Sequence, residues 1–266
     1  MSQGSKFAEI VGKRRIWAVS AVHGQLEQLK AVHGQLANHF LPGDVLIYTG
    51  NIMGRGPDVA GCINEILNFR RLVILQDGAE LDDVIFLRGC QEEMLYKLRH
   101  LPFAKEPEEV LVWMANQGVD STLRAYGTSC EEGIAATHDG MKGVSNWMGM
   151  LKNNMHKMDG HEQYMDALKR AAYSEDKKLL FVNANVVPDM PLDAQSDAFW
   201  WGTQEFRELD HPYNGFERTI RGYDHRHQGF HMAKHQLCID GGCGLGGKLV
   251  CVCFEDKGAL VERIEV

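Results

Sequence analysis

Residues 44–58 read DVLIYTGNIMGRGPD. Val45 to Tyr48 form a short apolar run of strand-forming residues, and the chain then enters a loop holding Gly50, Gly54, Arg55, Gly56 and Pro57. A glycine-rich loop at the carboxyl end of a buried strand is where α/β proteins place metal ligands or phosphate grips. Here the residues after Gly50 are Asn51, Ile52, Met53 and Gly54, so the loop has catalytic form and no acid before its last glycine.

The same unit recurs on both sides. Residues 15–20 (RIWAVS) read as a buried strand, and 25–40 carry Leu26, Leu29, Ala31 and Leu36 at helical spacing. The strand at 44–49 is followed by a helix over about 57–70. A third strand at 84–87 (VIFL) ends in Arg88-Gly89-Cys90-Gln91-Glu92 and a further helix. Residues 93–176, rich in Met, Leu, Ala and charged side chains and nearly free of strand signals, read as a helical cap inserted into a single domain. The Met-rich segment from Met141 to Met158 reads as core and surface of that cap. Strand character returns at 178–183, 219–222, 230–239, 248–254 and 259–265. The order predicts an α/β chain of α+β four-layer type: a central β-sandwich of two mixed sheets flanked by helices.

With 266 residues the chain is long enough for a full core. Its net charge of −8 argues against nucleic acid or an anionic membrane surface as the main partner. No apolar run approaches the roughly 20 residues that cross a bilayer, and residues 1–15 lack the apolar core of a signal peptide. Seven cysteines, an odd number, fit reduced thiols in the cytoplasm better than a disulfide framework. Cys251 and Cys253 alternate in LVCVCF and are expected on one face of a strand as small hydrophobes.

Six segments in order carry a resemblance. They are SAVHG (20–24), GNIMGRGP (50–57), LRGCQE (87–92), FVNAN (181–185), RGY (221–223) and CIDGGCGLGGKL (238–249). Together they resemble the motif set of the calcineurin-like metallophosphoesterases, in particular the bacterial serine/threonine phosphatase and diadenosine-tetraphosphatase branch. That branch is marked by GDxHG, GDxxDRG, GNHE, HAG, HGH and a closing IDTG…GGxL. The resemblance spans about residues 15–255. It implies two adjacent metal ions that activate a water and clamp the phosphoryl oxygens.

Carried over residue by residue, the ligand set is degenerate. The first aspartate falls on Ala21, its histidine partner on His23, the bridging aspartate on Asn51 and the second loop aspartate on Gly54. The asparagine ligand falls on Cys90, the general-acid histidine on Gln91, the later histidine ligands on Asn183 and Tyr223, and a supporting histidine on Arg221. Arg55 and Arg88 match the family's phosphate-gripping arginines, while a third falls on Gly202. Five of six direct ligands are changed, and even outer partners of a metal site typically affect affinity about 10–100-fold. The expectation is therefore no catalytic residue, no cofactor and a cationic pocket that binds a phosphate-bearing molecule or an unidentified protein: a pseudophosphatase. Two alternatives stand beside it. One is an active phosphoesterase rebuilt around one Mn, Fe, Zn or Ni ion on His23, Asn51, Cys90 and Asn183. The other is an interaction scaffold with an empty pocket.

Plainer readings of single residues accompany these. Arg55 caps a helix or pairs with Asp58, Arg88 pairs with Glu92, and His23 is hydrogen-bonded within its loop. Cys90, opening a helix beside an arginine, is a candidate low-pKa thiol. His225, His227, His231 and His235 share a face if their segment is one extended strand, which makes them a candidate replacement metal site.

Overall fold

The structure, a computed structural model, describes residues 6–12, 14–202 and 205–266. The first half alternates strand and helix: β1 (Phe7–Ile10), β2 (Ile16–Val19), α1 (Leu26–His39), β3 (Val45–Tyr48), α2 (Val59–Ile74), β4 (Val84–Phe86) and α3 (Cys90–Lys97). Helices α4 (Pro107–Asn116), α5 (Val119–Ala125), α6 (Cys130–Thr137), α7 (Gly140–His156) and α8 (His161–Ala167) follow. The last part holds β5 (Ala171–Ser174), β6 (Leu179–Val182), α9 (Ala198–Trp201), β7 (Arg218–Arg221), β8 (His231–Met232), β9 (Gln236–Cys238), β10 (Val250–Phe254) and β11 (Leu260–Glu265).

Among the described residues the strands form two mixed sheets, ordered β1-β5-β6-β7-β9-β8 and β11-β10-β2-β3-β4. Alternation along each strand builds the layers. Ile16, Ala18, Val45, Ile47, Val250 and Val252 face Phe181, Ile220 and Leu237 of the other sheet. Trp17, Val19, Leu46, Tyr48, Cys251 and Cys253 point outward into one core with α1, α2 and the helices after α3. Leu180 and Val182, on the far side of the second sheet, are covered by Phe199, Trp200, Phe206, Tyr213 and Phe216. The two cysteines thus sit where the alternation puts them, as buried hydrophobes.

Two strands were not legible. The edge strand β1 (FAEI) pairs in parallel with β5 (AAYS), Phe7 opposite Ala171. Neither segment has a run of β-branched residues, so partner strands rather than local propensity hold them extended. β5 lies inside the stretch expected to be helical, and the last helix of that stretch closes at Ala167. The single strand expected over 230–239 is instead a short antiparallel pair, β8 and β9. No helix among the described residues is long and apolar enough to cross a membrane.

Phe181 is fully buried between the sheets, its ring 5.6 Å from that of Phe254 in an edge-to-face contact. Phe181→Ala is expected to destabilise the fold by about 3–5 kcal/mol. Urea unfolding checks this, and a change under about 1 kcal/mol would place this residue outside a packed core.

Candidate functional site

The loops that matter all leave the carboxyl ends of parallel strands: Ser20–Gly24 after β2, Thr49–Pro57 after β3, Leu87–Gly89 after β4, Asn183–Asn185 after β6 and Gly222–His227 after β7. That edge is where open α/β sheets present their sites. Backbone bonds tie these loops together, Ala21 N–H donating across the sheets to Gly222 O at 3.0 Å and both Val22 and His23 N–H to Asn51 O of the neighbouring loop in their own sheet. Gly222 is required here, because a Cβ would lie 1.7 Å from Thr49 Oγ1. His23, Asn51, Arg55 and His227 all adopt positive φ, near +50°. Such angles are uncommon for residues with a side chain and persist only where surrounding contacts impose them.

Those contacts centre on Glu92, which is fully buried. Its carboxylate accepts from the backbone N–H of Asn51, Ile52, Met53 and Gly89 at 2.8–3.2 Å, and from the Tyr164 hydroxyl at 3.3 Å. Burial raises the pKa of this carboxyl, and the backbone donors oppose the rise by favouring the charged form. The α5 region clamps the same loop. Gly54 N–H donates to Thr122 Oγ1, Arg55 N–H to Gly118 O, and the Ser121 hydroxyl to Arg55 O. No local sequence signal links residues this far apart, and none was found for Glu92 as the loop's organiser.

The structure does bring the expected residues together, and it closes them in. Ala21, His23, Asn51, Cys90, Gln91, Asn183 and Tyr223 are each at most 2% exposed. Asn51 Oδ1 accepts from Gln91 N–H at 3.1 Å and from the Cys90 thiol at 3.3 Å. Asn183 donates to Thr49 O and accepts from Cys90 N–H, so it bridges the sheets. Gln91 donates to Gln117 O and lies over Gly54, where a Cβ would come 2.4 Å from its amide. Tyr223 packs its ring edgewise on His23 at 5.3 Å. Burial pushes its phenol pKa up, while Arg55 partly offsets this by favouring the phenolate.

Several single-residue expectations are corrected. Arg88 pairs with Glu93 at 3.0 Å and not with Glu92, whose carboxylate is occupied by backbone donors. Its guanidinium also lies over the rings of Tyr96 and Trp200. Asp58 caps α2 by accepting from Gly61 N–H, and Arg55 forms no ion pair with it among the described residues. The Cys90 thiol is not activated: burial, followed by the nearby Glu92 charge, pushes its pKa up to about 12. Both ring nitrogens of His23 are buried without a hydrogen-bond partner. Burial lowers its pKa to about 3, so the imidazole is neutral. Gly202 abuts Asn185, where a Cβ would lie 1.7 Å from Asn185 Cβ, so no arginine fits its place. Arg221 is buried in an ion pair with Asp224 at 2.8 Å. The later histidines do not converge: His225 bonds Trp200 O, His235 bonds Glu217 O, and His227 lies 3.6 Å from Asp240.

The pair of divalent ions that the resemblance implies does not fit these donors. A neutral imidazole, two amides already bonded to backbone or thiol, and a protonated thiol bring no negative charge to offset four positive ones. The nearby carboxylates of Glu92 and Asp240 are held by backbone N–H groups, the latter by those of Asp224 and Gly242. Among the described residues, no three His, Cys, Asp or Glu side chains are grouped to hold a metal ion.

No family profile and no curated protein sequence matches the chain. Solved structures match its fold. A protein assigned as a diadenosine tetraphosphatase is 14% identical, with a TM-score of 0.59 and 97% of each chain covered. A cold-active protein-tyrosine phosphatase of the psychrophile Shewanella is 15% identical at a TM-score of 0.53, covering 98% of this chain and 82% of that one. A serine/threonine phosphatase from Saccharomyces cerevisiae with similarity to human phosphatase PP5 is 12% identical at 0.55, covering 99% and 85%. The chain therefore has the calcineurin-like metallophosphoesterase fold, with two mixed sheets between helical layers.

Two outcomes follow from the site. Glu92→Ala leaves four buried N–H groups without an acceptor and is expected to cost on the order of 4 kcal/mol or more, measured by urea unfolding; a loss under about 1 kcal/mol would show that the loop does not depend on it. For His23 the folded pKa lies below the unfolded value. Its contribution to stability is complete above about pH 6.5 and is lost as pH falls toward 3, by at most about 1.4 kcal/mol per pH unit. His23→Asn, which tolerates the positive φ, should flatten the pH dependence of the urea midpoint in that window. An unchanged slope would mean that His23 is not held neutral.

Proposed function

We propose that this chain is a pseudophosphatase: a phosphoesterase-fold protein that binds a phosphate-bearing ligand or a protein partner and does not turn it over by two-metal hydrolysis. The observation that carries this reading is the closed, neutral set His23, Asn51, Cys90, Gln91, Asn183 and Tyr223, bonded or packed together where hydrolysis would need charged ligands and a proton donor. Arg55 supports the binding half. It is partly exposed although its Nε is buried, its guanidinium also meets the Tyr223 hydroxyl, and its charge lowers the pKa of His23, Cys90 and Tyr223, so its positive potential extends across the site. Phosphate oxygens are recognised by such a guanidinium through paired N–H donors. Arg88 is the weaker grip of the two, because Glu93 already offsets its charge. Free cysteines, all seven of them buried, support a cytoplasmic setting.

Protein purified without chelator is expected to carry well under one Mn, Fe, Zn or Ni per chain by mass spectrometry, and to leave para-nitrophenyl phosphate and diadenosine tetraphosphate intact. Stoichiometric metal, with turnover abolished by His23→Ala, would replace this reading with a rebuilt one-metal phosphoesterase. Calorimetric titration with inorganic phosphate or a nucleotide should show binding that Arg55→Ala weakens by about tenfold or more. Binding unaffected by that change would remove Arg55 from the grip.

A further inference from the structure

Away from the strand-end loops, α3, α4, the residues between them and Trp201 line an open cavity of about 510 Å³, within the range of ligand pockets. Its walls are Met94, Leu98, Leu101, Met114, Trp113 and Trp201, with Lys97, His100 and Glu109 as the polar exceptions. Lys97 is already bridged to Glu93 and Asp197. Trp113 forms one lip, its ring 5.5 Å from Trp201 and tilted by 58°. It is 45% exposed, as is its neighbour Val112, although Leu111 and Met114 of the same helix are buried. An aromatic that borders an apolar hollow and keeps a polar N–H at its edge is suited to an interaction surface.

A second hollow of about 790 Å³ lies on the other side of Trp113, lined by Glu106, Glu108, Glu109, Val112, Asn116 and His138 among others. The three glutamates are exposed and form no ion pair with any described residue. Glu108 and Glu109 stand in the first turn of α4, where the helix dipole favours acids. That accounts for neither Glu106, whose side chain makes no capping bond, nor the contact between the Glu106 and Glu109 carboxyls, which raises the pKa of Glu109. Apolar cavity, half-exposed tryptophan and unbalanced acids therefore adjoin along one side of α4, and their chemistry is complementary to a side chain that is apolar next to one that is cationic.

We propose that the surface centred on Trp113 docks a partner protein through a basic amphipathic helix, with an apolar anchor in the Trp113–Trp201 cavity and lysine or arginine side chains over Glu106, Glu108 and Glu109. Helix-in-groove recognition uses this division of labour, with aromatic-walled pockets taking anchors and opposite charges setting orientation. Arg55 lines neither hollow.

The test uses the full chain and two synthetic helical peptides, one with leucine and lysine at amphipathic spacing and one with glutamate in place of lysine, titrated by calorimetry. The leucine–lysine peptide is expected to bind saturably, to bind less tightly as salt rises, and to lose about tenfold or more in affinity with Trp113→Ala. The charge-swapped variant Glu106→Lys/Glu108→Lys, at two residues that do not line the cavity, should weaken it similarly, and both variants should keep the wild-type circular dichroism spectrum. No saturable binding of the leucine–lysine peptide, equal binding of the glutamate peptide, or an affinity unchanged in the charge-swapped variant would each overturn the assignment.

Discussion

The buried carboxylate of Glu92 ties the loop after β3 to the loop after β4. It collects the N–H groups of Asn51, Ile52 and Met53 from one loop and of Gly89 from another. Hydrogen bonds to a charged acceptor contribute about 1.5–3 kcal/mol each, which offsets the cost of taking the charge out of water. With that anchor the backbone passes through positive φ at Asn51 and Arg55 and returns against α5. The loop keeps its shape through the protein's own bonds, those of the Asn51 and Asn183 side chains among them.

Loop form and loop chemistry are therefore separable here. The turns are intact, while Ala21, Asn51, Gly54 and Cys90, at the ends of the strands, carry no carboxylate. Asn51 and Asn183 accept from Cys90 and Gln91 inside a closed space, where Asn51 Nδ2 and Gln91 Oε1 have no partner, and Tyr223 covers His23. A fold can host such a change because function lies in the site grafted on it rather than in the layers beneath.

The layers were legible in the sequence because burial on both faces leaves near-continuous apolar strands such as Val45 to Tyr48 and Val250 to Phe254. The order of the motif segments also anticipated which loops the fold gathers at one sheet edge. Strands β1 and β5 were hidden, since their pairing lies between Phe7 and Ala171 and not in either segment's own preferences. At the site, identities could be read and partners could not. Whether Arg88 meets Glu92 or Glu93 depends on which carboxylate the backbone has already claimed. A cysteine at a helix start beside an arginine suggests an acidic thiol, yet Cys90 is shut away from water next to Glu92 and the shift runs the other way.

The most direct test of the central claim is the thermal unfolding midpoint, recorded with chelator and again with millimolar Mn²⁺. A metal bound by the folded state alone would raise stability by about 2.7 kcal/mol at a hundredfold excess over its dissociation constant. A site whose ligand positions offer a metal no carboxylate predicts the same midpoint under both conditions. A rise of several degrees with Mn²⁺, abolished by His23→Ala, would contradict it.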